Sequence, residues 1–351
     1  MSSGVMRCVA VRGEPVVDPA AWSARDLAEN DDWIVRIDDR DFADLRDMAA
    51  NFRRRYGDDA NRLLGSDRSD FDPGRFSRKL ETIAHDLKDG KGLVLVRGLP
   101  VEQLEPVDTA IIYWAVGLHL GNPASNNPDG DMIGHVTDLG GDMRHPKQRG
   151  YQTRATMDYH NDQANVVGLL CIHTAKHGGE SKVVSSVSVY NELIRRRPDL
   201  LEVLCGDYCW SMMGEVDDDE SPYYTSPIFN FIDGYLCTSF GPDHMRKGHA
   251  LPEAPGMTPG QSESIRVVED ICEDLHYAME LQTGDMQFLN NMVALHTRNG
   301  FEDWSEPERK RLLWRLWLNV PGIRPLTPFM EHWRTGLLLT NTEPRINLTP
   351  R

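Results

Sequence analysis

His160, Asp162 and His296 are the residues whose types and spacing point most directly to chemistry. Successive side chains of an extended segment point to opposite faces, so His160 and Asp162, two residues apart, share a face and can grip one metal ion. A later histidine, His296, would complete a set of two histidines and one carboxylate. Such a set leaves coordination positions open and is typical of non-haem Fe(II) oxygenases. We therefore predict a catalytic iron site.

The His-x-Asp pair is weak support when taken alone. A chain with 12 histidines and 54 acidic residues produces such pairs by chance on solvated loops. The neighbouring sequence adds specificity, because the apolar run 166–172 after Asp162 predicts a buried strand. Residues 284–291, before His296, predict a tight turn that feeds a short strand. Both ligand groups are therefore expected at strand edges.

Four segments carry a further pattern. They are residues 159–172 (YHNDQANVVGLLCI), 178–181 (GGES), 284–291 (GDMQFLNN) and the block 296–318 that begins with His296. Together they resemble the taurine dioxygenase/TfdA-like family of Fe(II)- and 2-oxoglutarate-dependent oxygenases, over roughly residues 92–320, and several ordered motifs are more specific than any one. The chain departs from the family at Asn165, where many relatives carry an acid, and at Ser181, where they often carry threonine.

The resemblance implies a role for each matching residue. His160, Asp162 and His296 would be the iron ligands. Arg311 would bind the distal carboxylate of 2-oxoglutarate, because the planar guanidinium fork makes two parallel bonds to a carboxylate, and Ser181 would add a hydroxyl. Arg315 would meet the substrate. In a strand over 311–318 the two arginines share a face, although a register slip of one residue would reverse which side chains point inward.

Other polar residues near these motifs are weaker candidates. Asn126 and Asn127 lie in the turn-rich loop 121–130. The resemblance implies that this loop approaches the mouth of the active site, where the two asparagines would contact the substrate. Turn asparagines more often stabilise the turn itself. Arg309, Lys310 and Arg298 fit a basic surface paired with the acids of 302–308, so we leave them out of the predicted site.

Two competing metal patterns carry less weight. His173 and His177 are four residues apart, as in helical zinc sites, but the glutamate of a zincin is missing and two glycines follow at once. Cys205 and Cys209 are separated by three residues, and no second cysteine pair supports structural zinc.

Composition limits the classes of partner. The 38 basic and 54 acidic residues give a net charge of −16, which repels nucleic acid and anionic membranes. The sequence has no apolar run of transmembrane length and no secretory leader, so we expect a cytoplasmic protein with a small-molecule substrate. Six cysteines without framework spacing fit a reducing compartment. A homo-oligomer is compatible with this sequence.

The order of predicted elements indicates a mainly β fold with flanking helices. Apolar spacing predicts helices over 41–56, 75–87, 107–120, 187–204 with a break at Pro198, and 262–280, a strand within 91–100, and a hairpin at Asp233-Gly234. We expect one oxygenase domain over 1–351, with a helical lead-in at 1–90 and a C-terminal extension at 326–351. Between them, residues 91–325 are expected to form a double-stranded β-helix (jelly roll) with helical insertions, of the clavaminate synthase-like type.

These inferences lead to one predicted function and two alternatives. The resemblance implies a dioxygenase that uses Fe(II), 2-oxoglutarate and O₂ to oxidise a C–H bond of a small organic acid or amino-acid-like substrate, with release of succinate and CO₂. Hydroxylation is the default, while desaturation and cyclisation stay open. The alternatives are a cupin-like metal-dependent hydrolase or isomerase, which would not need Arg311, and an inactive jelly-roll binding protein.

Overall fold

The computed structural model describes residues 5–141, 149–216, 220–334, 336–339 and 341–350. Its α-helices are α1 (Ala24–Glu29), α2 (Asp39–Tyr56), α3 (Ser77–Asp89), α4 (Pro106–Leu120), α5 (Ser186–Arg196), α6 (Leu201–Leu204), α7 (Pro242–His249), α8 (Pro259–Leu275) and α9 (Pro328–His332). Its strands are β1 (Ile34–Arg36), β2 (Leu93–Arg97), β3 (Asn122–Asn126), β4 (Gly134–Val136), β5 (Val166–His173), β6 (His177–Gly178), β7 (Ser181–Ser185), β8 (Tyr208–Ser211), β9 (Tyr223–Ser226), β10 (Phe229–Ile232), β11 (Tyr235–Thr238), β12 (Tyr277–Met279), β13 (Met286–Asn290), β14 (Ala294–Arg298), β15 (Phe301–Glu302), β16 (Leu312–Asn319) and β17 (Gly336–Leu337).

The N-terminal helices form where the apolar spacing predicts them. Helix α2 begins with a capping box in which Asp38 and Asp41 accept each other's backbone N–H groups, and it buries Leu45, Met48 and Phe52 along one face. Helix α3 buries a similar stripe. The predicted helices 41–56 and 75–87 are therefore confirmed, with starts that differ by two residues.

Two β-layers enclose the space between the predicted site residues. The larger sheet has the order β1-β2-β13-β5-β16-β3-β17, with β4 also paired to β16. The smaller sheet has the order β12-β7-β14. Among the described strands these layers form a jelly roll that does not close into a barrel, which confirms the predicted mainly β fold with flanking helices.

Helix α4 seals the outer face of the larger sheet. It is apolar on nearly all sides, and residues along almost its whole length are buried, as expected for a helix covered by protein all round. The Tyr113 hydroxyl donates to the Trp314 carbonyl oxygen at 3.2 Å, and a Cβ on Gly117 would lie 2.9 Å from the Leu316 side chain. This packing turns the other face of β16 towards the smaller sheet.

Three details differ from the predicted organisation. Strand β1, from the first ninety residues, pairs with β2, and β17, from the C-terminal extension, pairs with β3, so both flanking regions contribute strands to the larger sheet. Helix α8 ends at Leu275 and not at 280, because His276 is extended and β12 then pairs with β7.

No helix in the described part of the chain is both long and apolar enough to cross a membrane.

Candidate active site

His160, Asp162 and His296 converge although 136 positions separate the two histidines. One potential ligand atom from each residue lies within 4.8 Å of the other two. His160 and Asp162 lie on the irregular segment that leads into β5, as predicted, whereas His296 lies inside β14. A strand does end ahead of His296, as predicted, but His296 does not lie at a strand edge, because the chain turns after β13 and β14 begins to pair with β7 before it reaches this histidine.

The two histidines are cross-strand partners. The backbone N–H of His160 donates to the His296 carbonyl, and the reverse bond also forms, each at 3.0 Å. Directly opposed residues of an antiparallel pair present their side chains on one face, and here the ring centroids are 4.4 Å apart. His160 Nδ1–H donates to the Asp158 carbonyl oxygen at 2.8 Å, which fixes the tautomer that leaves Nε2 free to bind a metal.

Two asparagines hold the segment that carries the first two ligands. The Asn161 amide nitrogen donates to the carbonyl oxygens of Asn291 and Ala294. The Asn291 side chain accepts from the Asp162 N–H at 3.2 Å and donates to the Ala164 carbonyl oxygen at 2.8 Å. The turn between β13 and β14 therefore fixes His160 and Asp162 relative to His296.

The two carboxylate oxygens of Asp162 have different neighbours. Oδ1 accepts from Arg315 Nη1 at 3.1 Å, and Oδ2 lies 3.7 Å from His296 Nε2. Burial alone would raise the pKa of Asp162, but Arg315, followed by His296 and His160, outweighs burial and leaves that pKa below its usual value. Asp162 is therefore ionised, with Oδ2 directed towards the histidines.

His296 is held in its neutral form. Burial, followed by the neighbouring His160, lowers the pKa of His296 to about 3, and Asp162 only partly opposes this. A neutral imidazole and an ionised carboxylate are the forms that bind metal. The donor set therefore fits a divalent ion with open positions, as Fe(II) oxygenases require.

A small cavity between the two sheets joins the candidate metal ligands to three arginines. It has a volume of about 40 Å³, and its lining includes His160, Asp162 and His296 together with Ser181, Arg298 and Arg311. The Ser181 hydroxyl donates to Gln287 Oε1 at 2.8 Å. Arg311 and Arg315 lie on the same face of the β16 segment and both line this cavity, as the alternation predicted.

Arg311 has the surroundings of an anion-binding residue. Its side chain is 6 % exposed, its Nη1 is buried without a hydrogen-bond partner, and it forms no ion pair with any described residue. Burial lowers the pKa of Arg311 to about 10, so the guanidinium stays charged at neutral pH. A buried unpaired cation is costly, and a bound carboxylate would remove that cost.

The turn before β7 lets the backbone approach Arg311 closely. Gly178 and Gly179 have φ values of 74° and 77°, in the left-handed region that favours glycine. A Cβ on Gly179 would lie 3.2 Å from Arg311 Nε, and one on Gly178 would lie 2.5 Å from the Gly300 carbonyl oxygen. The glycine pair therefore allows the backbone to pack closely against Arg311 and Gly300.

A second, larger cavity of about 130 Å³ opens on the other side of the metal ligands. Arg315 lines both cavities. The second is walled by the aromatic rings of Tyr151, Trp210, Trp317 and Phe329, and its polar lining includes Arg149, Asp158, Gln163, Asp243 and His244. Gln163 is 5 % exposed, and its carboxamide oxygen has no hydrogen-bond partner among the described residues.

The structure places the two predicted asparagines differently. Asn126 is buried, and its carboxamide oxygen accepts from Arg315 Nε at 2.9 Å, so it supports the arginine and does not line either cavity. Asn127 exchanges hydrogen bonds with Asp131 across its own turn and also lies outside both cavities. A direct substrate contact by either residue remains a prediction.

Sequence reasoning missed two buried residues. Arg298, assigned to a basic surface, is 5 % exposed and lines the smaller cavity. The alternation that paired His160 with Asp162 also places Arg298, two residues after His296, on the ligand face of β14. Gln163 follows Asp162 directly, but no spacing pattern in the sequence distinguishes it from a solvent-exposed loop residue.

Comparisons with known proteins agree with this geometry. Residues 58–317 match the profile of the family described as taurine catabolism dioxygenase TauD, TfdA family. The chain belongs to this family. Members are Fe(II)- and 2-oxoglutarate-dependent oxygenases, so this protein is an oxidoreductase that uses iron, 2-oxoglutarate and O₂, and the cupin-like hydrolase and the inactive binding protein are disfavoured.

Similarity to curated proteins covers most of the chain. FR-33289 synthase of Streptomyces rubellomurinus is 28 % identical over 339 residues, which cover 94 % of this chain and 97 % of the synthase. A taurine hydroxylase-like protein of Stachybotrys chartarum, SAT17, is 25 % identical over 324 residues, covering 87 % and 82 % of the two chains.

Solved structures share the fold of this TauD/TfdA family member. An asparagine oxygenase in complex with Fe(II), hydroxyasparagine and succinate matches with a TM-score of 0.63 at 14 % identity, over 88 % of this chain and 99 % of the other. The non-haem iron oxygenase OrfP with Fe and α-ketoglutaric acid matches with a TM-score of 0.60 at 12 % identity, over 82 % and 94 %. Both similarities concern the fold.

Proposed function

We propose that this TauD/TfdA family member hydroxylates a small organic acid that also carries a hydrogen-bond donor, as an amino acid or an amide-bearing acid does. The observation that carries this proposal is the content of the larger cavity. The cavity is lined by His160 and Asp162 of the proposed metal site, by the cation Arg315, and by Gln163, whose buried carboxamide oxygen has no hydrogen-bond partner among the described residues.

In this proposal His160, Asp162 and His296 hold the iron, and the low pKa values of Asp162 and His296 keep these two residues in the forms that a metal requires. The unpaired Arg311 guanidinium would hold the distal carboxylate of 2-oxoglutarate, and the Ser181 hydroxyl would add a hydrogen bond by turning from Gln287 to the carboxylate. When bound, Fe(II), 2-oxoglutarate and O₂ supply the oxidising power that breaks a C–H bond, with release of succinate and CO₂.

Arg315 would orient the primary substrate while it holds Asp162. Its Nη1 and Nε are occupied by Asp162 and Asn126, and its guanidinium lies over the rings of Tyr151 and Trp317 at 4.6 Å from each centroid. This fixed cation at the boundary of the two cavities would attract the acidic group of the substrate. The aromatic walls would bury its carbon chain.

The polar groups of the larger cavity favour a substrate with both an acceptor and a donor. Arg149 is already paired with Glu215 and donates to His244, while Asp158 and Asp243 pair with Arg246 and Lys247. Gln163 differs, because its buried oxygen lacks a donor. A buried acceptor without a donor costs about 1–3 kcal/mol, which a substrate N–H would recover.

A matched substrate panel tests this proposal. The Fe(II)-loaded protein is given 2-oxoglutarate, O₂ and pairs of small acids that differ only by an amino or amide group, and succinate formed above the substrate-free level is measured. We expect the donor-bearing member of a pair to be preferred, and Gln163→Leu to reduce that preference. Equal turnover of both members in the parent protein would contradict the substrate class and leave the oxygenase assignment intact.

The proposed cellular setting is the cytoplasm, with a small molecule as the partner. All six cysteines are free thiols, which suits a reducing compartment. The net charge of −16 disfavours nucleic acid and anionic lipid as partners. Fractionation of the host cell, with the protein detected by antibody, tests the location.

A further inference from the structure

Arg298 is a second buried cation beside the residue proposed to hold the cosubstrate. Its side chain is 5 % exposed and lines the same small cavity as Arg311 and the metal ligands. Both guanidinium groups lie over the ring of Phe301, with their Cζ atoms 4.7 and 5.2 Å from the ring centroid. The two cations therefore flank one small volume.

The strand register directs Arg298 towards this volume. In the pairing of β14 with β7, Arg298 lies opposite Ser181, just as His296 lies opposite Val183. Directly opposed residues present their side chains on the same face of the sheet. Arg298 therefore shares its face with Ser181, which lines the same cavity.

The hydrogen bonds of Arg298 leave two nitrogens free. Nη2 donates to the carbonyl oxygens of Thr153 and Ala155 at 3.0 and 2.8 Å, which fixes the guanidinium plane. Nε and Nη1 are buried and have no hydrogen-bond partner, and Arg298 forms no ion pair with any described residue. A buried charge is stabilised by an ion pair, and no described carboxylate lies close enough to form one with Arg298 or with Arg311.

We propose that Arg298 binds the distal carboxylate of 2-oxoglutarate together with Arg311, so that two arginines and not one recognise the cosubstrate. This inference rests on the proposed cosubstrate site. A carboxylate offers about four lone-pair sites and can accept hydrogen bonds from two guanidinium groups. The contacts of Nη2 with Thr153 and Ala155 make a purely structural role the competing explanation, and the experiment has to separate the two.

A ligand pair separates contact from support. 2-Oxopentanoate carries a methyl group where 2-oxoglutarate carries its distal carboxylate. The ratio of the two dissociation constants, measured by calorimetry on the anaerobic Fe(II) protein, therefore reports how much the distal carboxylate contributes to binding. We expect the parent to prefer 2-oxoglutarate strongly. We expect Arg298→Gln to lower this preference at least about tenfold, the loss typical of a hydrogen bond to a charged group.

Two further variants complete the test. Arg298→Lys keeps the charge but lacks the guanidinium fork, so the preference for 2-oxoglutarate should fall less than in Arg298→Gln. Arg298→Lys also serves as the test variant if Arg298→Gln does not fold. Arg309→Gln changes an exposed arginine that pairs with Glu306 and should leave the ratio unchanged. If Arg298→Gln and Arg298→Lys weaken the binding of 2-oxoglutarate and of 2-oxopentanoate by the same factor, Arg298 only supports the fold and the inference is wrong. If the parent shows no preference for 2-oxoglutarate, the proposed cosubstrate site fails as well.

Discussion

Asp162 shows how one side chain can serve both a proposed metal ion and its surroundings. Its Oδ1 accepts from Arg315, and its Oδ2 is directed towards His296. The arginine keeps the carboxylate ionised and presents a single oxygen to the site. Replacing Arg315 would therefore weaken iron binding as well as substrate binding, because the buried Asp162 carboxylate would lose its partner.

Replacing a metal ligand should remove iron. We expect His160→Ala, Asp162→Asn and His296→Ala each to lower Fe(II) affinity by more than the 10–100-fold that loss of an outer-shell partner typically costs. Iron content after anaerobic loading and desalting checks this. His85→Ala, at an exposed histidine on α3, is the control. Normal iron content in His296→Ala would disprove the ligand set.

Replacing Arg311 should weaken the cosubstrate. Arg311→Ala leaves a buried carboxylate without its partner, a loss of about 2–5 kcal/mol, or roughly a thirtyfold to several-thousandfold rise in the dissociation constant of 2-oxoglutarate. Arg311→Lys should recover only part of this, since a point charge cannot reproduce the fork. Calorimetry under argon measures both, and an unchanged constant in Arg311→Ala would exclude Arg311 from the cosubstrate site.

At the scale of elements, the ligand segment depends on the turn after β13. Asn291 bonds the Asp162 N–H and the Ala164 carbonyl, which lie in an irregular segment with no sheet partner for these groups. The sequence predicted the turn and the strand before it from glycine and apolar signals. It did not predict that β14 would carry His296, because the pairing of β14 with β7 is a contact between residues more than 100 positions apart.

Removing the Asn291 side chain should destabilise the protein. Asn291→Ala leaves two buried backbone groups unpaired, at a cost of about 1–3 kcal/mol each, and loosens the Asp162 segment. The urea midpoint should fall with an unchanged slope, and iron affinity should fall with it. Asn51→Ala, at an exposed asparagine on α2, should change stability by less than about 0.5 kcal/mol. Equal midpoints for the two variants would contradict this role.

Alternation explains which parts of the site could be predicted. It placed Arg311, the residue before β16, and Arg315, within β16, on one face because a strand repeats every two residues. Arg298 was misassigned because its acidic neighbours in sequence suggested a solvated surface, whereas burial is decided by the opposite strand. Gln163 lies on an irregular segment, where periodicity carries no information about direction.

At the scale of the whole molecule, a buried ion pair ties the two ends of the described chain together. Arg324 Nη2 donates to both carboxylate oxygens of Asp18, at 3.1 and 2.8 Å, and the two side chains are 1 % and 2 % exposed. The fold class was predictable because the order of helices and strands follows from local patterns. This contact was not, because 306 positions separate its partners.

Breaking this ion pair should cost much of the stability of the fold. Asp18→Ala removes the carboxylate that also pairs with Arg7 and leaves Arg324 buried and unpaired, for which we expect a loss of about 3–5 kcal/mol in the free energy of unfolding. Asp199→Ala breaks an exposed pair with Arg197 and should cost no more than about 1 kcal/mol. Chemical denaturation of both variants gives the comparison, and a loss below 1 kcal/mol in Asp18→Ala would show that the pair is not needed.

The most direct test of the central claim is a titration of 2-oxoglutarate into the anaerobic Fe(II) protein, followed by visible absorption. If the site of His160, Asp162 and His296 binds iron and the adjoining cavity binds the cosubstrate, a metal-to-ligand charge-transfer band should rise and saturate. The band should be absent in His296→Ala and should need far more 2-oxoglutarate in Arg311→Ala. A parent protein that binds Fe(II) but shows no band at saturating 2-oxoglutarate would contradict the account.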